Sequence, residues 1–170
     1  MKAVIALNNI SKIYPKASEH SLNNVSITVN KSDKLGIFGP NGAGKTTLIS
    51  ILCGIIEQSH GTVEFKRDDQ QIDRKEILYK IGYVPQDFSF YVELTPYQNL
   101  MYFGSLYEIP KKILVDKIDK LVSVLGLSHV MHKKIEKFSG GMKRRVNLAI
   151  GIINDPDILL LDEPTVGVDV

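Results

Sequence analysis

The fold is decided by the stretch Gly39-Pro40-Asn41-Gly42-Ala43-Gly44-Lys45-Thr46, which has glycine, lysine and threonine at the spacing of a phosphate-binding loop. An apolar run, residues 34–38, precedes it and a helical pattern follows. Glycines let backbone N–H groups turn toward phosphate oxygens, and the helix start adds a partial positive charge. Lys45 would neutralise the β- and γ-phosphates, and the Thr46 hydroxyl suits Mg²⁺. The stretch therefore predicts a nucleotide site on a strand, a loop and a helix.

Strands and helices alternate on both sides of this loop, which predicts an α/β fold. Alternating and short apolar runs predict strands at residues 4–7, 25–29, 34–38, 62–65 and 81–84, and a fully buried strand at 158–161. Residues 68–75 are predicted to be a polar connection. Helical patterns occupy residues 45–52, a segment that opens with a Thr95–Gln98 capping box, residues 111–125, and a segment from Ser139 to before Asn154.

Size and composition predict one ordinary domain. The chain has 170 residues, 44% of them hydrophobic, and a net charge of +2, which gives nucleic-acid binding no electrostatic support. Its single cysteine, Cys53, cannot form an internal disulfide, which favours a reducing cytosolic setting. We see no apolar stretch long enough for a membrane span or a signal peptide.

Two adjacent acids end the last predicted strand. Asp162 suits the metal-binding acid that a phosphate loop requires, and Glu163 could polarise an attacking water as a general base. The alternative is a strand that simply ends in two solvated acids.

A Ser-Gly-Gly helix start shortly before that strand makes the resemblance specific. Phe138-Ser139-Gly140-Gly141 resembles the signature motif of ABC-type ATPases, where the serine hydroxyl and glycine N–H groups form a second anion site; an ordinary serine N-cap is the alternative. Tyr83-Val84-Pro85-Gln86 resembles the family's Q-loop, with a plain surface glutamine as the alternative. Tyr14 stands where the family places a ring against adenine, and Gly167-Val168-Asp169 resembles the D-loop.

The resemblance implies an ABC transporter ATP-binding domain that covers the whole chain. Its fold would be a RecA-like P-loop NTPase core with an N-terminal antiparallel β subdomain (1–94 and 154–170) and an inserted α-helical subdomain (95–153). It implies ATP hydrolysis with Lys45, Gln86 and Glu163 as catalytic residues, and Mg²⁺ held by Thr46, Gln86 and Asp162. ATP would be bound by Tyr14, Gly39, Pro40, Asn41, Gly42, Ala43, Gly44, Lys45, Thr46, Thr47, Ser139, Gly140 and Gly141.

Partners follow from the same resemblance. Two copies, or this chain and a related one, would pair head to tail, with ATP between the phosphate loop of one and Ser139-Gly140-Gly141 of the other. The pair would drive integral membrane domains from the cytoplasmic face of the membrane, without nucleic acid. Met142 replaces the usual glutamine, and the run Met142-Lys143-Arg144-Arg145 resembles a subgroup common in bacterial exporters; a solvated basic helix face is the alternative.

Seven aromatic residues lie close together after Gln86, and some are expected to line a groove for a membrane partner while others pack the helical core. They are Phe88, Phe90, Tyr91, Tyr97, Tyr102, Phe103 and Tyr107.

The family continues past this point with one more strand and a histidine that contacts the γ-phosphate. None of His20, His60, His129 and His132 follows the acidic pair, so the core strands and the switch histidine are expected to be missing. The missing strand would leave a gap in the sheet. Buried backbone N–H and C=O groups at the gap would be unpaired, which lowers stability. We expect the 170 residues alone to be marginally stable, unless another chain fills the gap in the sheet. We also expect them to bind ATP weakly and to hydrolyse it slowly.

Two other classes compete with a transporter subunit. A chromosome- or repair-type ATPase would carry long coiled-coil arms between phosphate loop and signature, and that interval here is short and has no heptad repeat. An ABC-type ATPase without a membrane partner, in translation or cluster assembly, stays open at this point.

Overall fold

The structure is a computed structural model that describes residues 3–68 and 70–163. The chain forms two compact units, and it passes from the first to the second between Leu78 and Tyr79. No helix within the described ranges is long and apolar enough to cross a membrane. The expected division into a core (1–94 and 154–170) and a helical subdomain (95–153) is a different one and stays a prediction.

The first unit contains an antiparallel sheet with strand order β2-β1-β3-β4. Ile5 of the first strand pairs with Val29 on one side and Phe65 on the other, and alternate apolar residues of that strand are buried. This register confirms the predicted strands at 4–7, 25–29 and 62–65 and extends them. The elements are β1 (Ala3–Lys12), β2 (Leu22–Asn30), α1 (Lys45–Leu52), β3 (His60–Arg67), β4 (Gln70–Gln71) and α2 (Arg74–Leu78).

Two predictions for this unit are wrong in part. Residues 68–75 are not simply a connection, because they include β4 and the start of α2. Residues 34–38 form no strand: Leu35 is 55% exposed and Phe38 is 94% exposed. An apolar run forms a strand only where another segment provides backbone hydrogen-bond partners. No segment in the described ranges pairs with this run.

The second unit places helices beside a parallel strand pair. β5 and β6 pair in register from Ile81 with Ile158 to Val84 with Leu161. One apolar cluster joins the three helices, with Leu100 from α3, three aliphatic residues from α4, and Val146 and Ala149 from α5. The elements are β5 (Ile81–Val84), α3 (Pro96–Leu106), α4 (Lys111–Val124), α5 (Gly140–Gly151) and β6 (Ile158–Leu161), with short 3₁₀ turns at Ser128–Val130 and Ile135–Lys137.

The predicted helix start at Thr95 is confirmed in detail. The Thr95 hydroxyl accepts a hydrogen bond from the backbone N–H of Gln98, and the Gln98 side chain accepts one from the backbone N–H of Thr95. The prediction of a fully buried strand at 158–161 is wrong, since Leu159 is 41% exposed and Leu161 is 40% exposed. Alternate residues of a strand point to opposite faces, and β6 is covered incompletely by the described residues.

Candidate functional site

The phosphate loop has a backbone that only glycine adopts easily. Gly42 and Gly44 have φ values of 82° and 87°, in the left-handed region, and Gly44 is the N-cap of α1 without a side-chain cap. The loop is closed by a hydrogen bond of 3.2 Å from the Ala43 N–H to the Pro40 carbonyl. A β-carbon on Gly44 would lie 2.2 Å from the Ser21 carbonyl oxygen, so the loop can approach β2 only because that residue is glycine.

Lys45 reaches back over this loop. Its Nζ donates hydrogen bonds to the carbonyl oxygens of Gly39, at 2.9 Å, and Pro40, at 3.0 Å. The ammonium group is therefore held directly above the glycine-rich backbone, and the neighbouring Thr46 side chain is exposed. A lysine cation, an exposed hydroxyl and an uncapped helix start in one place fit the phosphates of a nucleotide.

Tyr14 lies beside the same loop. Its hydroxyl is 3.3 Å from the Thr47 hydroxyl, and the residue is 39% exposed. The Lys12 ammonium lies 5.4 Å from the ring centroid, which favours that ring orientation through a cation–π contact. The structure thus brings Tyr14 together with the loop residues.

In the second unit, Gln86 and Asp162 follow the two paired parallel strands. The Asp162 N–H donates to the Val84 carbonyl at 3.0 Å, which extends the β5–β6 ladder by one residue, and Gln86 comes two residues after Val84. Carboxyl ends of parallel strands meet at one edge of a sheet, so both residues emerge there. Asp162 is 2% exposed, whereas Gln86 is exposed.

Glu163 follows with a positive φ of 47°, an uncommon conformation that turns the chain directly after the acidic pair. No group of three or more histidine, cysteine, aspartate or glutamate residues is placed to bind a metal within the described ranges.

The Ser-Gly-Gly segment begins α5 as expected. The Ser139 hydroxyl accepts a hydrogen bond of 3.3 Å from the Met142 N–H, so it is a true N-cap. Ser139 and Gly140 are exposed, and no atom lies within 4 Å of a β-carbon built on Gly141. The helix start is thus open enough to bring its first N–H groups close to a ligand.

The basic run after Met142 is not a uniform solvated face. Arg144 is 9% exposed and donates to the Pro85 and Gln86 carbonyls, whereas Arg145 donates to the Leu125 carbonyl. The sequence analysis missed this role of Arg144.

Six of the seven aromatic residues fall into two sets, and the seventh, Phe88, stacks on Phe90. Phe90, Tyr97 and Tyr107 pack against the helical core. Tyr91, Tyr102 and Phe103 contact one another, with Tyr91 49% exposed and Tyr102 43% exposed. A hydrogen bond with Tyr102 raises the pKa of the Tyr91 phenol above its ordinary value. We call these last three side chains the aromatic patch.

The predicted site residues are divided between the units. Tyr14 and the loop 39–47 belong to the first, whereas Gln86, Ser139-Gly140-Gly141 and Asp162-Glu163 belong to the second. The expected D-loop, Gly167-Val168-Asp169, lies outside the described residues.

Curated relatives match nearly the whole chain. It is 34% identical over 166 residues to the linearmycin resistance ATP-binding protein LnrL of Bacillus subtilis, covering 98% of the chain and 53% of LnrL. It is 37% identical over 169 residues to the bacitracin transport ATP-binding protein BcrA of Bacillus licheniformis, covering 99% and 54%. It is 34% identical over 167 residues to the molybdate/tungstate import ATP-binding protein WtpC of Pyrococcus abyssi, covering 98% and 47%. The chain spans about half the length of these curated relatives.

Solved structures of ATP-binding cassettes share the fold. A dimeric structure of the cassette MJ0796 bound to ADP and Pi matches with a TM-score of 0.83 and 26% identity, over 97% of this chain and 76% of that one. The match confirms the α/β P-loop NTPase fold with its antiparallel β subdomain. The family model described as ABC transporter matches residues 22–166, which include the phosphate loop, Ser139-Gly140-Gly141 and the acidic pair, and the chain therefore belongs to the ABC transporter family of ATP-binding proteins.

Proposed function

We propose that the chain is the ATP-binding part of an ABC transporter and that it couples ATP hydrolysis to transport through separate membrane domains. The observation that carries the proposal is the position of Lys45, whose Nζ lies 2.9 Å and 3.0 Å from two carbonyls of a loop built around left-handed glycines. ATP would be held there by the loop N–H groups, Lys45 and Thr47, with its base against Tyr14.

The acidic pair and Gln86 supply the remaining chemistry. Asp162, with Thr46 and Gln86, would hold Mg²⁺, which neutralises phosphate charge when bound. Glu163 would take a proton from the attacking water as general base. The exit of Gln86 and Asp162 from neighbouring parallel strands supports this assignment.

A second ATP-binding domain, identical or related, would complete the site. The exposed Ser139-Gly140-Gly141 helix start suits the phosphates of an ATP held by another copy. The solved cassette MJ0796 is dimeric with ADP and Pi bound, which supports the same arrangement here.

The aromatic patch is the proposed contact with the membrane domain, which would keep the protein at the cytoplasmic face of the membrane. Three mutually packed rings on the surface suit a partner's apolar side chains. Export is the proposed direction. Met142-Lys143-Arg144-Arg145 and the resistance function in the name of LnrL support it, whereas the name of WtpC is that of an import protein.

Substitution of Lys45 tests the ATP site. Loss of charge-assisted hydrogen bonds worth about 1.5–3 kcal/mol should weaken binding of a fluorescent ATP analogue about ten- to hundredfold in Lys45→Met. Lys31→Met, at an exposed lysine outside the loop, is the matched control and should bind normally. Equal affinities for both variants would contradict the proposal.

Co-purification tests the membrane role. Detergent extracts should yield a multi-span protein bound to the wild type, and Tyr91→Ala with Tyr102→Ala should reduce its yield. Tyr79→Ala, at a tyrosine 64% exposed outside the patch, is the control. A protein that hydrolyses ATP but never co-purifies with a membrane protein would indicate an ABC-type ATPase without a membrane partner.

The direction of transport is tested in cells. Under export, Lys45→Met raises the intracellular amount of the transported compound, measured by comparative metabolite profiling, and under import it lowers that amount.

A further inference from the structure

The helix that begins after the signature serine, α5, also makes hydrogen bonds to the loop that contains Gln86. Arg144 Nη1 donates to the Gln86 carbonyl at 2.9 Å and to the Pro85 carbonyl at 3.3 Å. Asn147 Nδ2 donates to the same Pro85 carbonyl at 3.0 Å. Arg144 and Asn147 are three residues apart, so they lie on one face of α5, and both are buried, at 9% and 1% exposure.

These contacts satisfy backbone groups that the sheet does not pair. β5 ends at Val84, so the carbonyls of Pro85 and Gln86 lie beyond the paired residues of β5 and β6. Backbone carbonyls that leave a ladder need other donors when they are sheltered from water. The Gln86 backbone is thereby fixed to α5, while its side chain is exposed and able to reach a ligand.

An aromatic ring fixes the guanidinium from its face. The Arg144 Cζ lies 5.2 Å from the centroid of Phe88, and Phe88 stacks on Phe90 at 5.3 Å, which in turn packs against the helical core. A planar guanidinium can stack on a ring and donate to two carbonyls together, which a lysine ammonium cannot do in the same way. The geometry is therefore specific for arginine.

We propose that Arg144 and Asn147 are positioning residues that couple the Ser139 helix start to Gln86. Arg144 lies five positions after Ser139, the N-cap of α5, which is an axial distance of about 7.5 Å along one continuous helix. A displacement of α5 when Ser139 meets the nucleotide of a second copy is then transmitted to the Pro85–Gln86 backbone, through two hydrogen bonds to the Pro85 carbonyl and one to the Gln86 carbonyl. The proposal rests on the proposed function, because Gln86 matters only if it contacts Mg²⁺.

The test compares Arg144→Lys and Asn147→Ala with Arg145→Ala in the full protein. Arg145 is the matched control, because it lies on the same helix but donates to the Leu125 and Gly141 carbonyls instead of the Gln86 loop. We expect Arg144→Lys to lower kcat about tenfold, and to raise the Mg²⁺ concentration for half-maximal rate, with ATP affinity and melting temperature near the wild type. Asn147→Ala should change both kinetic readouts in the same direction, and Arg145→Ala should change neither.

A double-mutant cycle with Gln86→Ala separates positioning from packing. If Arg144 acts through Gln86, Arg144→Lys changes the rate less than about twofold in the Gln86→Ala background. Additive effects, or a normal Mg²⁺ dependence in Arg144→Lys, overturn the proposal. Failure of the proposed function looks different, since the wild type would then not bind ATP and Lys45→Met would change nothing.

Discussion

Gly44→Ala should damage the phosphate loop far more than Gly42→Ala, although the two glycines have nearly the same backbone. Their φ values are 87° and 82°, so an alanine at either position takes on the left-handed strain of about 1–2 kcal/mol. A β-carbon on Gly42 has no atom within 4 Å, whereas one on Gly44 lies 2.2 Å from the Ser21 carbonyl oxygen and 2.8 Å from Leu22 Cδ2. Only Gly44→Ala therefore adds a collision to the strain.

The collision has a definite cost because Ser21 and Leu22 are themselves fixed. The Ser21 N–H donates to the Lys12 carbonyl at 2.8 Å, and Leu22 is 6% exposed at the start of β2. Moving this segment loses a hydrogen bond worth about 1 kcal/mol and overpacks a buried leucine for about 1 kcal/mol more. Gly44→Ala should then lose about 3–4 kcal/mol in total, against about 1–2 kcal/mol for Gly42→Ala.

Urea unfolding followed by circular dichroism measures the difference, and a fluorescent ATP analogue measures the consequence for the site. The displaced loop of Gly44→Ala should bind the analogue at least about tenfold more weakly than wild type, which corresponds to 1.4 kcal/mol. If Gly44→Ala and Gly42→Ala unfold within about 0.5 kcal/mol of each other, the close approach of the loop to β2 does not exist as described.

Three further changes test single features. Tyr14→Ala should weaken binding of ATP but not of inorganic tripolyphosphate in competition assays, since the ring is proposed to contact only the base. Thr95→Ala should lower the free energy of unfolding by about 1 kcal/mol in urea because it removes the cap from Gln98, and Gln98→Ala should lose less. Asn99→Leu should cost about 3 kcal/mol in the same assay, since Asn99 is buried and makes two hydrogen bonds to the Tyr91 backbone and one to the Thr95 carbonyl.

The features that the sequence predicted well are those decided by neighbours in the chain. The capping box of Thr95 involves residues three apart, and the turn of the phosphate loop depends on its own glycines, of which Gly42 and Gly44 have positive φ. Such signals do not depend on what packs nearby. The family resemblance added the roles of distant motifs, and the family match supports that resemblance.

The features that the sequence predicted poorly depend on other segments. Residues 34–38 and 158–161 are both predicted to be strands from their apolar side chains, yet only the second run finds a parallel partner in the described residues. The prediction that residues 158–161 are fully buried is wrong for the same reason, because the exposure of Leu159 depends on what covers that face of β6. Apolar content shows that a segment would gain from burial, but not whether another segment is placed to bury it.

The run Lys143-Arg144-Arg145 shows how helical spacing can improve a prediction of which residues are buried. A cluster of positive charge is usually a solvated face, but successive helical residues are rotated by about 100° and cannot all face the same way. Val146 and Ala149 are fully buried, so the period that they define places Asn147 beside them on the inner side, and Arg144 lies one turn before Asn147. Two long or amide-bearing donors on a buried face need acceptors, and the nearest polar backbone is the loop after β5. Polar residues at the same helical spacing as buried apolar residues are therefore predicted to donate hydrogen bonds to a neighbouring loop and not to form a charged surface. In this chain that loop is the one that contains Gln86.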